Sequence, residues 1–152
     1  MIEGPLGRFL EEGLAIHIGA RDERLSPVGA RGVAVRVEPD GCHMVVYVAA
    51  IAASRLLPHL ESNGQAAVSF ARPVDHRACQ VKGLFVASRQ ASGSERKGVL
   101  AQWQGFMRQL ELVGIPPAGA AGWATWPAVA IRLKVTTIFE QTPGPGAGAP
   151  IA

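Results

Sequence analysis

Apolar and polar positions alternate along much of this chain, and short turn-forming stretches interrupt the alternation. Pro5 to Glu12 carries Leu6, Phe9 and Leu10 at helical spacing, which predicts one or two helical turns. Leu14 to Gly19 alternates apolar with small or polar residues and predicts a strand. Asp22 to Ser26 is a polar loop. Arg31 to Glu38 predicts a second strand with Val33, Val35 and Val37 on one face. In an ideal strand Arg31 and Arg36, five apart, point to opposite faces. Pro39-Asp40-Gly41 is a hairpin turn, because Asp-Gly tolerates positive φ. Cys42 to Val48, rich in β-branched residues, is the returning strand.

From Ala50 the composition shifts to Ala, Leu, Ser and Arg. Ser54 is the expected helix cap, with Pro58 in the first turn, Leu56, Leu57 and Leu60 facing inward and Asn63-Gly64 at the end. Gln65 to Phe70 and Cys79 to Ala87 alternate as strands around the Arg72-Pro73 turn, with Val81, Leu84 and Val86 as apolar positions of the second. Ser92 to Gly114 is the longest helical pattern, running through Val99, Leu100, Trp103, Phe106, Met107, Leu110 and Val113. Val129 to Phe139 alternates as the last strand. This order lacks the strict β-α-β alternation of a doubly wound sheet. It predicts a mainly β (α+β) domain, an antiparallel barrel with helices at its ends or corners. The domain spans residues 1–141, and 142–152 form an irregular Pro/Gly-rich tail.

At 152 residues the chain is one domain's worth, and its 48% apolar content supports a packed core. Charged residues make up 18%, so much of the surface is small or apolar, which points to a second subunit covering part of it. A net charge of +3 without a basic stripe predicts no nucleic-acid partner. Met44 to Ala53, the longest strictly apolar run, is about half a bilayer-spanning length, and no basic, apolar leader opens the chain. With only Cys42 and Cys79, the expectation is a soluble protein of a reducing compartment, the cytoplasm.

Several chemistries are absent from the sequence. There is no phosphate loop, no Gly-x-Gly-x-x-Gly opening a helix and no Gly-x-Ser-x-Gly elbow. His17, His43, His59 and His76 stand singly, with no paired metal spacing, although any one of them could ligate haem. What remains is a set of cations near small residues. Arg31 and Arg36 flank one strand. Ser54-Arg55 stands where the returning strand hands over to a helix, and a hydroxyl, a guanidinium and helix-start amides there could meet a phosphate. The other reading of Ser54-Arg55 is a helix cap beside a surface arginine.

The stretch Arg31 to Gly83 resembles the core of the pyridoxamine-phosphate-oxidase-like FMN-binding split barrels. It carries Arg31-Gly32-Val33-Ala34-Val35-Arg36, then Asp40-Gly41, then Ser54-Arg55-Leu56. Leu60-Glu61-Ser62-Asn63 and Arg77-Ala78-Cys79-Gln80-Val81-Lys82-Gly83 follow, and the likeness extends from about Leu6 to Gln141. The resemblance implies an antiparallel split β-barrel with flanking helices, and a homodimer with FMN at the subunit interface serving hydride or electron transfer. It implies Arg31, Arg36, Ser54 and Arg55 at the phosphate, Gln80 at the ring's polar edge and Ala50 admitting a close backbone. It implies no catalytic side chain and leaves the electron donor unnamed. The chain also departs from the family pattern. Leu56 replaces a lysine, Ala50 a threonine and Ala78 a glutamine, and no tryptophan lies near Gln141. These departures argue against pyridoxamine-phosphate oxidase activity and keep deazaflavin, haem or no cofactor as alternatives to FMN. The uncharged segment Gly114 to Ile131, with Trp123 and Trp126, is the part expected to bury aromatic surface against the partner.

Overall fold

The computed structural model describes residues 1–151. Its six strands are β1 (Ala15–Arg21), β2 (Pro27–Val37), β3 (His43–Ala49), β4 (Gln65–Ala71), β5 (Ala78–Gln90) and β6 (Ala128–Glu140). They close into a barrel with neighbour order β1-β2-β3-β6-β5-β4, and every pairing is antiparallel. The helices are α1 (Gly4–Leu10), α2 (Ala50–Asn63) and α3 (Arg96–Leu112), with a 3-10 turn at Pro117–Ala120. The fold is a mainly β split barrel with flanking helices. Among the described residues no helix is long and apolar enough to cross a membrane.

Alternation along each strand divides the side chains between the barrel interior and its outer wall. The interior holds Ile16, Ile18, Val35, Met44, Val46, Val68, Phe70, Val81, Ile131 and Leu133, sealed by Phe9 of α1 and by Leu56 and Leu60 of α2. A second cluster lies outside, where Val33, Ala34, Val45, Tyr47 and Ala130 meet Val99 of α3.

Four features depart from the sequence reading. First, β2 shifts register against β3 between Gly32 and Ala34. The extra residue puts Val33 and Ala34 both outside, so Val33 does not share the inward face of Val35. It also puts Arg31 and Arg36 on the same outer wall rather than on opposite faces. Gly32 points inward, where a Cβ would stand 2.5 Å from Ile16 Cγ2.

Second, α2 starts at Ala50, so Ser54 is no cap. Its Oγ donates to the Ile51 carbonyl at 2.8 Å within the helix, and Pro58 lies in the helix interior. The Ala50 amide instead donates to the Pro127 carbonyl at 2.8 Å, which turns the chain from strand to helix immediately. Third, Leu84 and Val86 are exposed at 40% and 44%, because the alternation that turns Cys79, Val81 and Gly83 inward turns both of them outward. Fourth, the long helix begins at Arg96. Ser92 and Glu95 form the turn before it, with the Ser92 amide donating to Glu95 Oε2 at 2.8 Å. The tail loops back over the end of β6, and the Ile151 amide donates to the Ile138 carbonyl at 2.8 Å.

Candidate functional site

The register across four strands builds one outward polar row. Arg31 on β2 stands opposite His17 on β1, His17 opposite Ser69 on β4, and Ser69 opposite Gln80 on β5. One pair further along, the outward positions are Gly29, Gly19 and Ala67, a floor without bulky side chains. A cavity of about 540 Å³ lies over this patch, lined by Arg31, His17, Ser69 and Gln80 above Gly19, Gly29 and Ala67. A neighbouring cavity of about 580 Å³ shares Gly19 and Ala67 and adds Arg21 and Lys82. Both are within the range of about 300–1,000 Å³ typical of small-molecule sites.

The loop after α3 shapes the Arg31 end. The Arg31 guanidinium lies 4.0 Å from the centroid of the Trp123 ring and 5.9 Å from that of Phe106. Trp103 packs against both aromatics. This stacking fixes the arginine's direction while leaving its N–H donors unused by any carboxylate among the described residues. Burial lowers the Arg31 pKa from its ordinary value. Desolvation against the wall, then the Arg31 charge, lowers the His17 pKa from 6.5 and favours the neutral ring near neutral pH. Trp123 and Trp126 both pack within their own chain, with Trp123 still 38% exposed.

Of the residues singled out from the sequence, Arg31 and Gln80 come together in this cavity. Arg36 lies on the same outer wall but toward β3 and β6, its Nε donating to Tyr47 Oη at 3.4 Å, and it lines cavities with Glu95 and with Arg132. Ala50, Ser54 and Arg55 belong to α2 and line neither of the two outer cavities, and Ser54 and Arg55 are exposed. His17 is one of the four single histidines named as able to ligate haem, whereas Ser69, Gly19, Gly29 and Ala67 are not singled out by the sequence. Each is unremarkable in its own segment, and only the register sets them side by side.

Glu38, Asp40 and His43 place ligand atoms within 4.8 Å of one another at the hairpin turn. Each already has a partner. Glu38 accepts from Arg132, and Asp40 contacts His43 Nδ1 at 2.6 Å and accepts from the Cys42 and His43 amides.

The residues of the outer groove fit a flavin-type group. A Cβ at Gly19 or Gly29 would meet nothing closer than 3.8 Å, so both glycines face open space that a planar ring can fill. Arg31, Ser69 and Gln80 supply donors around that floor.

No family model and no curated protein matches the chain. Solved structures do match its fold. HupZ of Group A Streptococcus aligns over 98% of this chain and 99% of its own, with a TM-score of 0.58 at 15% identity. An F420 reductase aligns over 86% and 93%, with a TM-score of 0.57 at 18% identity. A candidate pyridoxamine 5'-phosphate oxidase from Lactobacillus delbrueckii aligns over 90% and 92%, with a TM-score of 0.54 at 11% identity. The chain therefore has the pyridoxamine-phosphate-oxidase-like split-barrel fold.

Proposed function

We propose that this protein is a flavin-dependent oxidoreductase that binds FMN, or a deazaflavin, on the outer wall over β2, β1, β4 and β5. A second copy of the chain closes the cleft. The observation that carries this reading is the meeting of Arg31 and Gln80 over the floor of Gly19, Gly29 and Ala67. Three strand spacings separate the two residues, roughly 14 Å, which suits an elongated cofactor with a phosphate at one end and a polar ring edge at the other. Arg31 holds the phosphate, pre-aimed by Trp123. Gln80 and Ser69 hydrogen-bond the ring edge, and the floor of small residues sets how closely the ring lies against the backbone. When bound, the flavin supplies the hydride or electron transfer, and the chain orients it and excludes water from one face. The exposed apolar residues Leu25, Leu84 and Val86 are the surface for the second copy.

FMN titration followed by dialysis and an absorbance scan tests this reading. Retained flavin bands support it, and a colourless dialysate-free protein sinks it. Arg31→Gln lowers FMN affinity by about one to two decades, the size of a charge-assisted hydrogen bond. Unchanged affinity would move the phosphate elsewhere. Anaerobic bleaching of the bound flavin by NADH or NADPH at catalytic rates separates an enzyme from a carrier.

A second reading, a non-catalytic haem binder, is favoured by one observation. His17, with its pKa lowered, stands beside Arg31 in the same cavity, where a neutral imidazole is a competent iron ligand and a guanidinium suits a carboxylate. A Soret band on haem addition, lost in His17→Ala, would select it over the flavin reading.

A further inference from the structure

The last strand outruns one of its neighbours. β6 pairs with β3 from Ala128 to Lys134, where it faces His43, the first residue of β3. One more bond, from the Val135 amide to the Cys42 carbonyl at 2.8 Å, ends that contact. β6 nevertheless runs on to Glu140, held on its other side by β5. The shift of β5 against β6 sets Lys82 opposite Thr137 and Gly83 opposite Val135, so Thr136 is an extra residue. Past it, Ile138 and Glu140 turn their main-chain groups to the side that β3 has left open.

The tail fills that side. The Gly148 amide donates to the Glu140 carbonyl at 2.7 Å, the Glu140 amide to the Ala149 carbonyl at 2.9 Å and the Ile151 amide to the Ile138 carbonyl at 2.8 Å. Pro150 stands opposite Phe139. Little else holds this segment. Gly144, Gly146 and Gly148 lose much freedom on ordering, and Ile151, the one large apolar side chain from 144 to 151, is 49% exposed. Ile151 lines a cavity of about 510 Å³ with Met1, Pro5 and Leu6 rather than packing tightly on them. A cover made of three main-chain bonds and few side-chain contacts belongs to the part of a structure that opens most readily.

What it covers is well suited to pairing. Val135-Thr136-Thr137-Ile138-Phe139 is β-branched or aromatic throughout, with no charge, glycine or proline. Exposed edges usually carry a lysine, a proline or a covering element that blocks another chain, and here the tail is the covering element. The edge is also complementary to itself. Antiparallel pairing of two copies about Ile138 lets the two Ile138 residues exchange both main-chain bonds. It sets Glu140 opposite the partner's Thr136, so no like charges meet, and the contact is two-fold symmetric.

We propose that the β6 edge from Thr136 to Glu140 is an interaction surface for a second copy of this chain, and that the tail is a strap that keeps it closed. Release of the strap lets the two edges join and carries the sheet from one barrel into the next. This edge is distinct from the exposed side chains of Leu25, Leu84 and Val86, so the association it makes is separable from closure of the cofactor cleft.

Gly148→Pro combined with Ile151→Pro releases the strap in the full chain. Each removes a donated bond, and the φ of +89° at Gly148 is closed to proline. Circular dichroism should show the wild-type fold, since neither residue is buried in the barrel. Light scattering should give this variant at least about twice the wild-type mass at high concentration, falling to the wild-type mass on dilution. In dilute solution its Glu140 amide should exchange about tenfold or more faster than in the wild type, and slow again as concentration rises. Ile151→Pro alone, which removes one bond, should show the same changes at smaller size. Adding Glu140→Pro to the double variant removes an N–H that faces the open side, a position where an edge strand tolerates proline, and should return the mass to that of the wild type. The proposal is overturned by a released variant that keeps the wild-type mass at every concentration, by association that survives Glu140→Pro, or by Glu140 exchange that release does not change.

Discussion

Gly32 is the inward-facing residue at the point where β2 takes up its extra residue. Substituting Gly32→Ala would place a Cβ 2.5 Å from Ile16 Cγ2, 2.9 Å from Ile16 Cβ and 3.4 Å from Val46 Cγ1. Ile16 is 1% exposed and β-branched, so its methyl cannot swing aside without leaving its rotamer or shifting β1. Overpacking of this kind costs about 1–3 kcal/mol. In a domain of this size that lowers the melting temperature by about 2–12 °C. The cause can be isolated with a second substitution. Ile16→Ala alone should cost about 2–5 kcal/mol through the cavity it leaves. Combined with Gly32→Ala it should cost less than the two effects added, with a coupling of about 0.5–3 kcal/mol, because the new methyl then occupies vacated space. Urea unfolding of the four proteins measures the cycle. Additive effects within about 0.3 kcal/mol would refute the steric reasoning and with it the inward placement of Gly32.

Gln102→Leu removes the side-chain amide that accepts from the Val35 N–H at 3.0 Å and donates to the Val35 carbonyl at 2.7 Å. It should cost about 1–3 kcal/mol in urea unfolding and speed exchange of the Val35 amide, whereas an unchanged exchange rate would show that water already serves that edge. Stability should also fall in acid. Asp40 is held down to about 2, chiefly by its bond with His43, and Asp75 to about 2, chiefly by Arg72, against 3.8 for an ordinary aspartate. A depressed folded pKa contributes fully above about 4 and is lost as pH falls toward about 2, so Asp40→Asn and Asp75→Asn should flatten the calorimetric melting profile in that window. Cys79 is buried, with its thiol pushed up to about 12 chiefly by desolvation. Ellman's reagent should therefore modify Cys42 in the folded protein and Cys79 only after unfolding, and fast modification of both would contradict this packing.

The strands and the long helix were legible because their periods are strong. Val129 to Phe139 and Gln65 to Phe70 alternate cleanly, and Val99, Phe106 and Leu110 mark one helical face. The bulge in β2 was not legible, because Gly32, Val33 and Ala34 fit a regular strand equally well and only pairing against β3 reveals the extra residue. That single residue reversed the relation between Arg31 and Arg36. The start of α2 was missed because the apolar run of β3 continues unbroken into Ala50 to Ala53, and Ser54 was the first residue with a capping side chain. At the candidate site, Arg31 stood out as a cation near small residues and Gln80 through resemblance. The floor of Gly19, Gly29 and Ala67 carries no signal in any one strand, since a small residue becomes a floor only when its cross-strand neighbours are small too.

The outer wall around β2 divides into two surfaces, and the end of the β1–β2 pairing explains why. Pairing of β1 with β2 ends at Ile16 and Gly32, so the backbone of β2 beyond that point has no strand on that side. Side chains replace the strand. Gln102 of α3 satisfies both polar groups of Val35, and Glu11 after α1 accepts from the Val37 amide at 2.7 Å. A helix that supplies hydrogen bonds to a strand edge must lie across that edge, and α3 does so by packing Val99 on Val33, Ala34 and Tyr47. Arg31 is thereby left on the side where β1 and β4 continue the wall, stacked on the Trp123 that follows α3. Arg36 is left on the side of β3 and β6, among residues anchored by Glu38 and Glu95. Two arginines five positions apart on one strand therefore serve different surfaces because a helix is needed where the sheet opens. Substitutions that remove the helix's hold on β2 should disturb the surroundings of Arg31 and Arg36 together, whereas substitutions around either arginine should leave the other in place.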